Sequence, residues 1–379
     1  SLVGPLANLV AVPFVSFVIV PVDLAACALL FAWPWAGRML LHACAHLVDA
    51  LWWFLVHLAA WRPAMQYLPE ASLAAFALAC IGAVWLLAPR GVPARALGAL
   101  ALLPLCFPRG TLPAEGAFRA TVIDVGQGLS VLVHTRTHAL LFDTGARYPS
   151  GFDLGEAAVV PTLHSLRVAR LDTLIISHGD NDHSGGAVSV LAAYPGAPVW
   201  GGEPARGPVP MRQCHAGQHW RWDGVDFRVL SPPAPVVLRD NDAGCVLLVS
   251  GGSGRLLLPA DTSSKIELAM AAAVPPGPPL VLVAPHHGSK TSSSEAYLKA
   301  LQPRLAIAST GYLNGYHHPS PEVAARYAAL KIPLLDTPDT GAVRLAFPAD
   351  GDPRILSEER LRQAHYWRET ESRMADAAH

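Results

Sequence analysis

Four side chains that commonly bind metal ions lie within one short stretch of the sequence, LIISHGDNDHSGG at residues 174–186. His178, Asp180, Asp182 and His183 follow an apolar run typical of a buried strand, and two glycines then allow a tight turn into a helix. Imidazole and carboxylate together suit Zn²⁺, Mn²⁺ or iron, and a pair of such ions can activate water. A helix start capped by Asp182 is the simpler alternative, but a cap needs one such residue and not four. The stretch therefore predicts a metal site at the end of a strand.

Further polar residues follow other apolar runs along the chain. They are Asp261 after LLLPA, His286 and His287 after LVLVAP, and Asn314 and His318 within YLNGYHHPSPE. A lone aspartate after a strand is most often a cap or turn residue, so each of these is a weak signal by itself. A site for two ions draws its ligands from several loops, and together these residues supply them.

The elements that must position these residues begin near Phe118. From there on, short runs rich in Val, Ile and Leu are bounded by Gly, Pro, Asp or Ser, as in RATVIDV, DTLIIS and LVLVAP. Helical spacing appears between them, at 184–193, 263–273, 293–301 and 321–330. This alternation predicts a layered α/β domain with two sheets or one mixed sheet, whose site lies in the loops at the strand ends.

The region before Arg109 has the composition of a membrane protein. Its apolar runs, at 6–33, 39–60, 71–88 and 96–107, are separated by short pieces with Pro or Arg. A membrane span needs about 20 apolar residues, so the first three runs are long enough; the fourth is short and is either a further span or a re-entrant or interfacial segment. The chain opens on Ser1 without a basic leader, so we expect a fragment of a longer membrane protein rather than a cleaved signal peptide.

One predicted membrane helix carries ionisable residues at helical spacing. His42, His46 and Asp49 would share one helix face with Trp53. Ionisable groups at membrane depth usually face a bundle interior or an aqueous path, so this face is a candidate conduit, and Asp23 is a further candidate. A buried pair of His46 with Asp49, or an interfacial helix, explains the spacing nearly as well.

Charge and cysteine content give no sign of a basic nucleic-acid-binding domain, a zinc knuckle or a disulfide framework. The net charge of −1 gives no electrostatic footprint for nucleic acid, so such a partner must be inferred from the site. Cys214 and Cys245 are isolated in the sequence and no CxxC pair occurs, so neither a zinc knuckle nor a disulfide framework is indicated.

Several motifs in the second part of the chain together resemble those of a known family. The segment from Arg119 to Phe347 resembles the metallo-β-lactamase fold, an αββα sandwich, and in detail the carboxy-terminal domain of ComEC-type DNA-internalisation competence proteins. The motifs that carry the resemblance are VIDVGQG at 122–128, LLFDTG at 140–145, SHGDNDHSGG at 177–186, LLLPAD at 256–261, PHHGS at 285–289 and GYLNGYHHPSPEV at 311–323. The apolar stretch at 4–22 resembles the last part of the same family's membrane domain. We therefore expect a membrane domain at 1–109, a linker at 110–118, a lactamase-like domain at 119–350 and a charged tail at 351–379.

The resemblance implies roles for the residues of these motifs. His178 and Asp180 would hold one ion, Asp182 and His183 the other, with Asp261 bridging the two. His286 or His287 would complete the second ion, with His286 taken as the ligand, and His287, Asn314, His318 and Asp124 would support the site or contact substrate. Asp143 would orient the metal loop from behind.

Two departures from the family pattern affect the first ion. Asp180 stands where the fold usually has a second histidine, and a hard oxygen there favours Mn²⁺ or Mg²⁺ over Zn²⁺. No clear equivalent exists for the single histidine that the fold often supplies between His183 and Asp261; His215 and His219 are the candidates.

The DVGQG turn and the charged end of the chain have less specific interpretations. The glycines around Asp124 and Gln127 allow a close approach to the metals or to a facing loop, and a plain hairpin turn explains them equally well. The tail from Glu358 onward reads as a solvated helix or a disordered end.

The function that the resemblance implies is a membrane-anchored, metal-dependent DNA nuclease in an uptake channel for transformation, which degrades the strand that is not transported. It would use two divalent ions, with Mn²⁺ favoured and Zn²⁺ the alternative, and Asp182 would both ligate and accept a proton. Its partners would be single-stranded DNA, the membrane and other DNA-uptake components. A non-catalytic transport module and a hydrolase of small esters or lactams are the alternatives.

The predicted location is the cytoplasmic membrane, crossed several times. If all four runs span, Arg38, Arg90 and Arg95 share one side, and Arg62, Arg109 and the metal domain share the other. Positive residues favour the cytoplasm, so a count of three against two points the metal domain outward, whereas a re-entrant run at 96–107 would move it to the opposite face. A nuclease on the cytoplasmic side would attack the strand just imported, and this favours an extracytoplasmic metal domain.

Overall fold

The structure is a computed structural model that describes residues 3–61, 71–89, 91–106, 112–236, 238 and 240–363. It divides into two compact units, Ser1–Leu68 and Pro69–His379. The predicted domain limits at residues 109 and 118 stay predictions. Arg62, Arg90 and Arg109, on which part of the charge count depends, lie outside the described residues.

The first unit consists of apolar helices. Helix α1 (Gly4–Phe14) continues through a π-helical turn (Val15–Ile19) into α2 (Val20–Ala32), and α3 (Pro34–Ala60) follows after a turn at Trp33. Trp33 leaves the helical region, as expected for a residue before proline. The segments Gly4–Ala32 and Pro34–Ala60 are long and apolar enough to cross a membrane, by length and composition.

The second unit begins with shorter apolar helices. They are α4 (Leu73–Leu86), a 3₁₀ segment (Arg95–Leu102) and α5 (Leu103–Cys106). Gly82 and Gly98 let α4 and the 3₁₀ segment touch, because a Cβ on Gly82 would lie 2.5 Å from the Gly98 carbonyl oxygen. With 14 residues, α4 is shorter than the about 20 that a perpendicular span needs, so the third and fourth crossings stay predictions.

The described part of the second unit then forms two sheets. The strands are β1 (Phe118–Val122), β2 (Val131–His134), β3 (Ala139–Phe142), β4 (Thr173–Ile176), β5 (Val199–Gly201), β6 (Arg212–Gln213), β7 (His219–Trp222), β8 (Val225–Ser231), β9 (Val246–Ser250), β10 (Arg255–Leu258), β11 (Leu280–Val283), β12 (Leu305–Ala308), β13 (Leu334–Asp336), β14 (Val343–Phe347) and β15 (Arg354–Glu358). The first sheet has the order β15-β14-β1-β2-β3-β4-β5-β6, and the second β13-β12-β11-β10-β9-β8-β7. Strands β3 to β6 run parallel in the first sheet, and β10 to β13 in the second.

Helices cover the outer face of each sheet. The first sheet carries a π-helical turn (Gly155–Val159), α6 (Val160–Ser165), α7 (Asn181–Ser184) and α8 (Ala187–Ala193); the second carries α9 (Ser264–Ala273), α10 (Glu295–Leu301) and α11 (Pro321–Ala329). Two further single-turn helices are α12 (Thr337–Thr340) and α13 (Glu359–Arg362). The four regions of predicted helical spacing all form helices.

The alternation along each strand explains the four layers. One set of side chains, including Phe118, Val249 and Phe347, fills the space between the two sheets. The opposite set packs under the helices, as Leu141 does beneath Leu163 in the first sheet. The αββα sandwich expected from the motifs is confirmed.

The carboxyl ends of the strands bring the motifs to one edge. Asp143 follows β3, His178 follows β4, Asp261 follows β10, and His286 and His287 follow β11 in a 3₁₀ turn (Pro285–Gly288). Parallel strands end at the same edge of a sheet, so residues far apart in sequence meet there.

The beginning of the predicted tail belongs to the first sheet. Strand β15 pairs with β14, and Arg360 in α13 lies 2.7 Å from Asp124 Oδ2. The sheet therefore extends past the expected domain end at residue 350, while residues 364–379 of the tail lie outside the described residues.

Candidate metal centre

Four of the predicted residues converge at this edge: Asp182, His183, Asp261 and His287. His183 Nε2 lies 3.1 Å from Asp261 Oδ1 and 3.2 Å from His287 Nε2. His287 Nε2 lies 3.4 Å from Asp182 Oδ2. The ligand atoms of all four lie within 4.8 Å of one another, and only Asp182 is partly exposed.

The loops that carry these side chains contain unusual backbone conformations. Asp143, Ala260, His286 and His287 have φ values of +61°, +52°, +49° and +55°. This left-handed region is rare for residues other than glycine, and such residues gather at functional sites where the surroundings hold them. The shape of the loops therefore agrees with a specialised site.

Asp143 supports the site from behind. Its Oδ2 lies 2.8 Å from His183 Nδ1, while its Oδ1 and Oδ2 accept hydrogen bonds from Ser177 N and Ser177 Oγ at 2.6 and 2.8 Å. All three residues are buried. The carboxylate fixes the imidazole so that Nε2 faces Asp261, which is the orienting geometry expected for Asp143.

The geometry places His287, rather than His286, within the group of four. His287 is buried within the group of four, and its Nδ1 lies 2.8 Å from the Ser309 carbonyl oxygen, which orients the ring. His286 lies beside the group, with Nε2 3.5 Å from Asp261 Oδ2 and its side chain 28% exposed. Both residues have left-handed backbone conformations, and the His287 ring lies among the other three candidate ligands. His287 is therefore the better candidate ligand.

His178 and Asp180, the candidates for the first ion, are arranged differently. His178 Nε2 is buried without a hydrogen-bond partner among the described residues and lies 3.5 Å from Asp180 Oδ2. Asp180 Oδ1 accepts a 2.8 Å hydrogen bond from Arg206 Nη2, and Glu203 holds Arg206 Nη1 at 3.1 Å. Sequence reasoning missed Arg206, since nothing marks it within GGEPARGPVP. Its guanidinium competes with a metal ion for Asp180.

The electrostatics of the four residues are those of closely packed opposite charges. Burial opposes protonation of His183, but the carboxylates of Asp261 and Asp143 outweigh it and raise the pKa of this imidazole well above its ordinary value. Burial would likewise raise the pKa of Asp182, but His287 and His183 lower it to about 2. In Asp261, the same histidines overcome burial and hold the pKa well below its usual range.

A cavity of about 600 Å³ opens beside the group of four. Its polar lining includes Asn241, Asp242, Asp261, Ser263, Lys265 and His286. Asp242 accepts hydrogen bonds from Ser263 N and Oγ at 2.9 and 3.0 Å, which fixes the start of α9. Lys265 thereby stands near the cavity as a positive group. The apolar patterns used in sequence analysis gave no signal for Asp242 or Lys265.

The DVGQG turn lies against the metal loop. A Cβ on Gly128 would lie 2.4 Å from the Asp182 carbonyl oxygen, and Leu129 N donates to that oxygen at 3.1 Å. Asp124 instead turns toward Arg360. The glycine thus permits a close approach to the facing loop, while the turn also joins β1 to β2.

The loop with Asn314 and His318 closes another side. The Asn314 side chain donates to the carbonyl oxygens of Gly311 and His318 at 3.0 and 2.7 Å, so it shapes its own loop. The His318 ring lies 6.1 Å from the His286 ring, and its Nδ1 is buried without a hydrogen-bond partner among the described residues. Burial, together with the charges of His287 and His286, lowers the pKa of His318 to about 4.

The other predicted candidates are not members of this group. His42, His46 and Asp49 lie on the exposed side of α3, and His46 Nδ1 lies 4.0 Å from Asp49 Oδ2. Their role in a conduit stays a prediction. His215 and His219 are not part of the group of four.

The expectation that Cys214 and Cys245 are isolated is wrong. They form a disulfide, with Cα atoms 6.2 Å apart, within the range that a disulfide spans. Strands of opposite sheets bring them together although 31 positions separate them in sequence, which is why spacing gave no signal.

The residues of this site fit a divalent ion. Two imidazole nitrogens and two carboxylates converge, three of the four residues are buried, and separate groups orient both rings. Such mixed donors suit Zn²⁺, Mn²⁺ or iron.

Comparisons with known proteins agree with this geometry. Residues 123–312 match the model of the metallo-β-lactamase superfamily, and residues 1–93 match that of the competence protein family. The chain is 38% identical to competence protein ComA of Neisseria gonorrhoeae, covering 97% of this chain and 50% of ComA. It is 37% identical to recombination protein 2 of Haemophilus influenzae, covering 62% of this chain and 29% of that protein.

The chain is also similar to a solved structure. The metallo-β-lactamase fold protein YhfI from Bacillus subtilis is 12% identical, with 58% of this chain and 96% of YhfI covered and a TM-score of 0.40. The chain spans half or less of the length of the two curated relatives above. The competence match and the two long apolar helices indicate a membrane protein. The chain belongs to the metallo-β-lactamase superfamily and joins that domain to a competence-protein domain at residues 1–93.

Proposed function

We propose that this chain is a membrane-anchored, metal-dependent DNA nuclease that takes part in DNA uptake and degrades the strand that is not transported. The observation that carries the proposal is the convergence of Asp182, His183, Asp261 and His287 within 4.8 Å, beside an open cavity. The similarity to competence proteins supports DNA as the substrate.

These four residues would hold one divalent ion, with Mn²⁺ the favoured metal. His178 and Asp180 would hold a second ion, with Asp261 between the two positions. A bound divalent ion would activate water and stabilise the charge that develops on a phosphodiester.

The protein's own groups have separate tasks in this proposal. Asp143 and the Ser309 carbonyl hold the two rings in place, so no reorganisation is needed when substrate arrives. Asp182, the one partly exposed member of the group, would also accept a proton from the attacking water. Lys265, on the wall of the cavity, would attract a phosphate of the bound strand.

We also propose that the metal domain lies outside the cytoplasm. The Cys214–Cys245 disulfide supports this orientation, because disulfides persist in oxidising compartments and are rare in the cytosol. A nuclease outside the membrane would spare the strand that has already been imported.

The test uses the chain purified in detergent, stripped of metal and reloaded with Mn²⁺. We expect cleavage of labelled single-stranded DNA, and a loss of at least about a hundredfold in Asp261→Asn and Asp182→Asn, as expected for removed metal ligands. Asp226→Asn, at an exposed carboxylate on β8, is the matched control.

Two results would decide against the proposal. If the metal-loaded chain cleaves neither single- nor double-stranded DNA, the alternative of a non-catalytic transport module is favoured. Hydrolysis of thioesters or lactams in the absence of DNA cleavage would indicate a small-molecule hydrolase instead.

A further inference from the structure

A second cavity, of about 420 Å³, lies between the two sheets, near the β5–β6 end of the first and the β7 edge of the second, with walls from β4, β5, β7 and β8. Three tryptophans dominate its lining, which includes Thr173, Ile175, Trp200, Trp220, Trp222 and Val229. Among the described residues, no aspartate or glutamate lines it. Its volume lies within the range of about 300–1,000 Å³ that is typical of ligand sites.

Each tryptophan already has a partner on one ring face. Trp220 stacks on Phe227, with centroids 5.3 Å apart and planes 7° apart. Trp222 stacks on His138 at 4.9 Å and 7°. The Arg212 guanidinium lies over Trp200, 5.8 Å from the ring centroid. These contacts hold the rings in place, while other parts of the rings border the cavity.

A buried donor and two exposed polar side chains accompany the tryptophans. Trp220 Nε1 is buried and lacks a hydrogen-bond partner within the described residues, so it is a donor without an acceptor. His219 lines the cavity and is exposed. Arg212 is also exposed, and it lies over Trp200 rather than in the lining itself. The carboxylate of Asp223, next to Trp222, is already engaged by Thr135 Oγ1 and Thr137 N, both at 2.7 Å.

We propose that this cavity binds a nucleobase of single-stranded DNA against its tryptophan rings, with Arg212 on the adjoining phosphate. The inference rests on the proposed function, because it takes DNA as the substrate. Aromatic rings beside cationic groups are the combination that binds single strands without sequence preference, since every base has a face that stacks. The lack of lining carboxylates suits an anionic ligand.

The cavity is connected to the metal centre through β4. Thr173 and Ile175 line the cavity, and His178 follows the other end of the same strand. At about 3.3 Å per residue, Thr173 and His178 are roughly 17 Å apart. A strand that reaches both would be anchored by a base a few nucleotides from the bond that is cut, which would favour longer substrates over dinucleotides.

The direct test is photochemical crosslinking to a short oligothymidylate that carries 5-iodouracil. It is done with the detergent-purified chain in the presence of a chelator, so that no cleavage occurs. We expect mass spectrometry to place the adducts on peptides with Trp200, Trp220 or Trp222. Adducts confined to peptides near His286 and His318, or to the membrane helices, would overturn the proposal.

Variants supply a second measurement. Trp200→Leu should weaken oligothymidylate binding about tenfold, because it removes an aromatic face on which a base stacks. Arg212→Gln should weaken binding by a similar factor, because it removes the positive charge beside the phosphate. Phe152→Leu, at an exposed aromatic outside the cavity, is the matched control. Arg212 is exposed, so its variant should fold even where a tryptophan change does not. Unchanged affinity in folded Arg212→Gln and Trp200→Leu would show that the tryptophans only close the sheet edge.

The outcomes separate this inference from the proposed function. Adducts in the cavity without cleavage in Mn²⁺ would support the nucleobase site and reject the nuclease. Cleavage with adducts only at the metal centre would support the nuclease and reject the nucleobase site.

Discussion

The buried carboxylate of Asp143 lies 2.8 Å from Nδ1 of the buried His183 imidazole, and Ser177 donates to both oxygens of that carboxylate. The arrangement leaves Nε2 of His183 facing Asp261, 3.1 Å away. Asp143, from behind the ring, thus fixes Nε2 of His183 as the nitrogen that faces the candidate metal position.

Asp143→Asn should therefore weaken Mn²⁺ binding about 10- to 100-fold, the usual cost of losing such an orienting group. Affinity is measured by competition with a fluorescent chelator, and Asp226→Asn is the control. A folded Asp143→Asn variant with wild-type affinity would show that the ring is positioned without the carboxylate.

Arg206 should control the occupancy of the position at His178 and Asp180. Its guanidinium occupies Asp180 Oδ1 at 2.8 Å and adds a positive charge where a cation would bind. We expect Arg206→Gln to tighten binding of a second Mn²⁺ about tenfold, since removing a nearby unit charge is worth about 1–2 kcal/mol. Elemental analysis gives the ions per chain, and electron paramagnetic resonance distinguishes a coupled pair from a single ion.

Arg221→Gln, at an exposed arginine of β7, is the matched control for this measurement. Weaker binding of the second ion in Arg206→Gln would reverse the interpretation, because Arg206 would then position Asp180 as a ligand.

Much of the fold could be predicted because the buried strands are nearly continuous apolar runs. Strands such as β4, β10 and β11 are buried on both faces and flanked by turn residues, which makes them easy to recognise. Strand β7, with the sequence HWRW, was missed because its residues are at most half-buried and aromatic rather than aliphatic. Strand β15 was missed because it is exposed and follows a charged turn.

The part of the site that lies in one cluster of polar residues could be predicted from the sequence. The part that depends on contacts between distant loops could not. The HGDNDH cluster indicates a metal site, since a capped helix start needs only one such residue. The choice between His286 and His287 depends on two left-handed residues that no periodicity encodes. Arg206 and the Cys214–Cys245 bond depend on contacts between loops distant in sequence, for which a single sequence carries no signal.

The disulfide should stabilise the metal domain. Replacing Cys214 and Cys245 together with serine should lower the free energy of unfolding by about 3 kcal/mol, chiefly because a cross-linked unfolded chain has less entropy. Denaturant unfolding of the chain in detergent, with and without a reductant, measures this. Cys80→Ser, at an exposed free cysteine, should change nothing. Equal stability of oxidised wild type and the double variant would contradict the prediction.

The proposed orientation predicts protease access from outside. Protease added to intact spheroplasts should remove the metal domain, because in this orientation the domain would face the protease, and its exposed loops, such as the one around Tyr316, would be open to cleavage. A cytoplasmic protein serves as the control for spheroplast integrity. Full protection until the membrane is lysed would place the domain in the cytoplasm.

Asp336 should make the domain less stable as the pH rises. Burial, together with the neighbouring carboxylates of Asp339 and Asp124, raises the pKa of Asp336 to about 6, although Thr310 Oγ1 donates a hydrogen bond to it. The folded state therefore holds a proton that the unfolded chain loses near its ordinary pKa of about 3.9. The stability that this proton contributes is complete below that value and is lost as the pH rises through 6.

Asp336→Asn keeps the acceptor for Thr310 and removes the charge, so at pH 7.5 it should be more stable than wild type by about 1–2 kcal/mol, allowing for partial exposure. Urea unfolding at several pH values should show this advantage shrinking toward pH 4, while Asp350→Asn, at an exposed carboxylate, should show no such trend. A variant less stable than wild type at pH 7.5 would mean that the ionised Asp336 is stabilised by its surroundings.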